Sequence, residues 1–174
     1  MLMTEKTPKE ENRKEEILNQ IAQKLKVRVS SPLKKAAQTF SELYYANVPF
    51  EDLTEISLDA LVSSVERMWN FSLTRPLGQA KIHTFVEKRK LKGLSVSQTI
   101  VEIVNDNMPF LVDSVTAAIN SLGYSLHLVI HPVMQVERNA DHVLKSVSSR
   151  TTESGNGTYE SFIHCEILEP LSPA

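Results

Sequence analysis

Three short polar side chains, Asn105, Asp106 and Asn107, stand between the β-branched run "TIVEIV" (99–104) and a helix that Pro109 can open at or near its first turn. The first amides of a helix have no intrahelical acceptor, and the helix dipole adds partial positive charge there. The amides of Phe110, Leu111 and Val112 could therefore hold a carboxylate while Asn105, Asp106 or Asn107 receives an ammonium group. That is the chemistry of amino-acid binding. The same three side chains can instead cap the helix and close an Asx turn with no ligand at all, and Asx residues do this so often that the structural reading carries more weight. Asp113 and Ser114 do not make an acid and a nucleophile, because adjacent helical residues do not face each other. Asp113 complements the dipole instead.

Other candidates are weaker. His127 and His131 are four apart, but on a strand that spacing is about 13 Å, too long for two ligands of one ion. His164 and Cys165 are neighbours on a strand and point to opposite faces, so no metal site is expected. The basic stretch "EKRKLKG" (87–93) reads as a solvated surface loop, not a nucleic-acid patch, since the strands lack the stacked aromatics that RNA-binding sheets display. Glycines at 78, 93, 123, 155 and 157 are too scattered to form a dinucleotide fingerprint, so no cofactor is expected in this segment. Met68 and Trp69 read as core.

The elements that must position the corner fall into two halves. The chain has 174 residues, 41 % of them hydrophobic, and a formal charge of -2, which gives no global attraction to nucleic acid or anionic lipid. Its apolar runs fall far short of a membrane span, and the lone Cys165 cannot form an intramolecular disulfide, so a reducing, cytoplasmic setting is expected. Residues 1–16 read as a solvated, disordered lead-in. Over 17–74 the apolar period is helical and predicts three helices, the second entered through Ser30-Ser31-Pro32 and the third through Ser57.

The "TRPLGQA" stretch (74–80) marks a change of architecture, after which 80–167 reads as α+β. Strands are predicted near 81–86, 99–104, 124–138 with a bend at Pro132, 143–147 and 159–167. A helix from Pro109 ends at Gly123, where a left-handed residue is needed. The order implies a helix packed on one face of an antiparallel sheet, with Val101 and Leu128 on neighbouring strands. A tail at 168–174 leaves the pattern truncated, and an unfinished sheet edge would favour weak self-association.

The segments "VEIVNDNMPFLVDSV" (101–115), "GYSLHLVIHPVMQV" (123–136) and "ESFIHCEI" (160–167) resemble the N-terminal region of the large bacterial NAD-dependent glutamate dehydrogenases. "YYANVPFEDL" (44–53) and "RPLGQAKIHTF" (75–85) resemble that family's preceding segments in the same order. The resemblance implies a ferredoxin-like, ACT-like βαββαβ unit preceded by a helical cap. It further implies a regulatory or assembly role within an oxidoreductase whose catalytic, NAD-using part lies elsewhere and converts L-glutamate, NAD and water to 2-oxoglutarate, ammonium and NADH. The implied partners are the other domains of the same long chain, further copies of it in a homo-oligomer, and an amino-acid effector. Units of this kind that sense amino acids commonly carry glycine directly after the proline of the corner, where this chain has Phe110. A stand-alone acylphosphatase-like hydrolase on the same frame would need an arginine in "NDNMPF", which has none.

Overall fold

In the computed structural model, which describes residues 8–91, 94–149 and 157–168, the chain is helical from the start of the described part. Residues 8–16, expected from their charge to be a solvated lead-in, are the first turns of α1 (Pro8–Arg28). Their anchor is Lys14, whose buried ammonium donates to the carbonyls of Ala46 and Val48, both at 2.7 Å, just past the end of the next helix. A lysine at a helix C-terminus satisfies carbonyls that have no intrahelical donor, while its stem lies on apolar surface.

Ser30 is extended and makes no side-chain cap; a short 3-10 turn (Ser31–Leu33) with Pro32 in it leads into α2 (Lys34–Tyr45). Pro49 ends that region as expected, but it also opens an unforeseen short helix, α3 (Phe50–Glu55), with Glu51 and Asp52 in its first turn. Four helices thus stand where three are predicted. The last, α4 (Leu58–Ser72), starts where its sequence says it should, with the Ser57 hydroxyl accepting from the Ala60 amide.

β1 (Lys81–Leu91) and β2 (Leu94–Asp106) pair antiparallel from Lys81 opposite Val104 to Leu91 opposite Leu94. The basic stretch 87–93, expected as a loop, therefore belongs largely to β1, the first arm of a hairpin, because cross-strand pairing continues the strand beyond its apolar part. Residues 92–93 lie outside the described residues, as does most of the expected loop at 148–158 and the tail after 168. α5 (Leu111–Ser121) ends in a Schellman motif: Tyr124 N donates to Ile119 O, Gly123 N donates to Asn120 O, and Gly123 has φ 84°.

The long strand predicted over 124–138 is interrupted at His131-Pro132, giving β3 (Leu126–Ile130) and β4 (Val133–Arg138). Proline has no N–H for the ladder, yet its carbonyl accepts from Phe162 N at 3.0 Å, so both halves stay against one partner. That partner is β6 (Thr158–Ile167); β5 (Leu144–Ser148) closes the far side. The order is β1-β2-β6-β4-β5, with β3 beside the other end of β6, and every pairing is antiparallel. Val101 and Leu128 are therefore in one sheet but not on adjoining strands. β6 lies between them, as the last strand does when it inserts into a split βαβ unit.

Both faces are covered. Alternation sends Val104, Phe162, Leu128, Ile130, Met134 and Val136 toward α1–α4, where Phe40 sits edge-on to Phe162 (5.2 Å) and Trp69 (5.4 Å). Ile103, Ile163, Cys165 and Ile167 face the other way, toward Ile119, Val115 and Leu111 of α5. The α+β architecture is thus a helical layer, an antiparallel sheet and a single helix on the opposite face.

Candidate functional site

The corner is built around Phe110. α5 begins at Leu111, two residues later than Pro109 suggests, because Phe110 adopts left-handed backbone (φ 61°, ψ 13°) and only then does the chain turn helical. Pro109 and Phe110 occupy the central positions of a turn whose second central residue needs positive φ, the place for glycine. A non-glycine residue there is disfavoured by about 1–2 kcal/mol. The ring of Phe110 is 75 % exposed and so returns little by packing. Phe110→Gly is expected to raise unfolding free energy by about 1 kcal/mol. Urea denaturation followed through Trp69 fluorescence measures it.

The polar side chains of the corner are engaged with the protein. Asn107 N donates to Tyr159 O at 2.8 Å, and its Oδ1 accepts from the Ser161 hydroxyl at 3.0 Å, tying the turn to β6. Asp106 accepts from Arg75 through Oδ1 and from Gly78 N through Oδ2. Asn105 pairs with Ser161 in the ladder between β2 and β6. Leu111 and Val112 turn their side chains under α5 against the sheet. The structure thus brings the six predicted residues to one corner, with Asp106 and Asn107 holding strand and linker.

Asp106 is one member of a buried ionic bracket. Arg75, fully buried, lies between Asp106 and Glu160, 2.8 Å from Glu160 Oε1, and also donates to the carbonyls of Pro76 and Gln79. Glu160, equally buried, receives Arg138 through both oxygens at 2.7 Å. Arg138 continues to the carbonyls of Leu73 and His142. Burial weakens the Arg75 guanidinium, but the bonds and charges of Glu160 and Asp106 more than offset this and raise its pKa. The linker after α4 is held to β2, β4 and β6 by these four residues.

A second polar group lies under the helical layer, and sequence reasoning missed it. His164 Nε2 is 3.2 Å from Glu166 Oε1, Gln98 Nε2 donates to Glu166 Oε2 at 3.2 Å, and His164 Nδ1 is 3.4 Å from Glu102 Oε1. Arg67 of α4 donates to Glu102 and to Glu87 at 3.1 Å each and lies over the Phe85 ring. Gln98, Glu102, His164 and Glu166 are essentially inaccessible to solvent. Burial opposes charge on His164, but Glu166 and Glu102 outweigh it and lift the imidazole above 6.5. Burial also pushes the Tyr44 phenol well above 10, and the Cys165 thiol on the other face up to about 11. The available signal was the alternation Glu160, Phe162, His164, Glu166 along β6. It reads as a solvent face until a helical layer is known to cover it.

Among the described residues, no group of three or more His, Cys, Asp or Glu is placed to hold a metal ion, and no helix is long and apolar enough to cross a membrane.

Strand, helix, broken strand and inserted strand on one antiparallel sheet, with the Pro109-Phe110 corner at the helix entrance, define an ACT-like α+β domain carrying a helical layer on its second face. The chain belongs to the family described as glutamate dehydrogenase, ACT1 domain, whose model matches residues 40–174. It is 29 % identical over 159 residues to the NAD-specific glutamate dehydrogenase of Halomonas elongata, an alignment covering 91 % of this chain and 10 % of that protein. It is 27 % identical over 128 residues to the NAD-specific glutamate dehydrogenase of Pseudomonas aeruginosa, covering 74 % of this chain and 8 % of that one. The chain therefore spans about a tenth of the length of these relatives. No solved structure matches it.

Proposed function

We propose that this chain is an N-terminal regulatory and assembly domain of a large, cytoplasmic NAD-dependent glutamate dehydrogenase. The parent reaction is L-glutamate, NAD and water to 2-oxoglutarate, ammonium and NADH. The observation that carries the reading is the ACT1 family match over 40–174, together with a corner whose Asp106 and Asn107 bind neighbouring strands and linker. Side chains used in that way hold shape and transmit position; they do not carry a reaction. The domain's partners are the remaining domains of the same long chain and further copies of it, with NAD bound elsewhere in the parent.

A second reading places an amino-acid effector at Asn105, Asp106, Asn107, Phe110, Leu111 and Val112. The observation that favours it is the exposed position of the 108–110 turn, with Met108 and Phe110 open to solvent, at the mouth of α5. Three measurements test these readings. The purified chain should form no NADH from L-glutamate and NAD, whereas removing residues 1–174 from the full-length enzyme should leave chemistry and change its assembly or its response to amino acids. A truncated enzyme identical in both respects would sink the proposal. A melting-temperature panel of the twenty amino acids at millimolar concentration addresses the effector: a shift that Asp106→Ala removes supports it, and a flat panel ends it.

A further inference from the structure

We propose that the Pro109-Phe110 corner is a docking knob, seated in an apolar pocket on another domain of the same parent chain. This rests on the proposed function only in taking the chain as one domain of a longer protein. Left-handed backbone (φ 61°) suits glycine, so phenylalanine at 110 works against the domain's own stability, and its ring, 75 % exposed, gains little packing in return. A strained residue that its own fold does not use is placed for a contact outside that fold.

The ring does not stand by itself. Of the nine large apolar side chains exposed among the described residues, four lie on segments that meet at this corner. Met108 (48 %) is two residues before Phe110. Tyr159 (42 %) enters from the start of β6, where its carbonyl accepts from Asn107 N, and Leu77 (62 %) precedes Gly78, whose amide donates to Asp106. The turn that carries Met108 and Phe110 is fixed, because Asn107 is bonded to Ser161 and Asp106 to Arg75 and Gly78. A fixed turn loses little freedom on docking, and an aromatic anchor carries much of an interface's energy once a pocket removes it from water.

The size of the patch selects its occupant. Four side chains at these exposures offer on the order of 400 Å². A free-standing dimer needs roughly 800 Å² from each partner, whereas domains of one chain dock through smaller surfaces because their linkage supplies a high effective concentration. This chain spans about a tenth of the length of its relatives, so a parent of that length holds tethered partners in plenty. Asp113, exposed three residues beyond Phe110, makes the rim of the patch acidic, and a pocket with a basic rim matches it.

Hydroxyl-radical footprinting read by mass spectrometry tests this at Met108, an oxidisable side chain that is half open in the 174-residue chain. In the full-length protein, at matched radical dose, its oxidation should be about tenfold slower than in the 174-residue chain, since susceptibility follows exposure. Phe110→Gly in the full-length protein should return Met108 to the rate seen in the same variant of the 174-residue chain. That variant relieves the left-handed strain, so lost protection is not a failure to fold. Equal oxidation in the two wild-type proteins, or protection that survives Phe110→Gly, would overturn the proposal. So would protection within the 174-residue chain that grows with its concentration, the mark of a second copy on the patch. NADH formation by the full-length protein is scored separately, so failure of the enzyme reading is told apart from failure of the docked corner.

Discussion

Glu160→Gln is expected to destabilise the fold by about 3–5 kcal/mol, the usual loss when one partner of a buried ion pair is removed and the other is left uncompensated. Glu160 takes both Arg138 and Arg75, and none of the three is more than slightly accessible. Glutamine keeps the volume and one acceptor but leaves the buried Arg75 with the Asp106 carboxylate and Arg138 with the carbonyls of Leu73 and His142. Asp106→Asn should cost much less, because Asp106 is 30 % accessible and water can take its place beside Arg75. The pair of variants separates charge burial from the loss of a surface bond. Urea unfolding read through Trp69, with an unchanged slope against denaturant, measures both. A Glu160→Gln loss below about 1 kcal/mol would mean that the bracket behaves as an exposed pair.

What the sequence makes legible here is local chemistry. Ser57, Gly123 and Pro132 act where they stand: a hydroxyl on a free amide, a left-handed C′ residue, a missing ladder donor. Phe110 was legible as an odd residue for its place, and its positive φ shows why glycine would be the easier choice. Features that depend on what lies opposite were not legible. Lys14 reads as solvated until the end of α2 is brought to its ammonium, and the hairpin arm at 87–91 reads as loop until β2 is laid beside it. The insertion of β6 between β2 and β3 is a matter of topology, which no local pattern encodes. The two ionic clusters were hidden for the same reason. Arg75, Asp106, Arg138 and Glu160 are spread over 86 positions of sequence numbering, from 75 to 160, and meet only when four elements converge.

The second cluster leads to a pH dependence whose sign follows from its geometry. His164 lies between Glu166 on its own strand and Glu102 on β2, with Gln98 beside them, Tyr44 and Tyr45 above from α2, Ser64 and Arg67 from α4, and His83 and Glu87 beyond from β1. Arg67 partners Glu102 and Glu87, and the imidazole stands 3.2 Å from Glu166. Tyr44 stays neutral throughout because burial holds its phenol well above 10. The folded imidazole titrates above the 6.5 of the unfolded chain, so the native state binds the extra proton in the interval between. Stability from this group is therefore complete below 6.5 and is lost as pH rises through the raised value. The urea midpoint of the wild-type chain should fall as pH rises above about 6.5 and through the raised value. His164→Gln should lower the midpoint on the acid side and flatten that slope, while Glu166→Gln should move the fall to lower pH. The helical layer rests on this polar face, so Trp69, packed on Phe40 between the layers, should report loosening in step with the midpoint. A slope that survives His164→Gln unchanged would assign the pH dependence to another group.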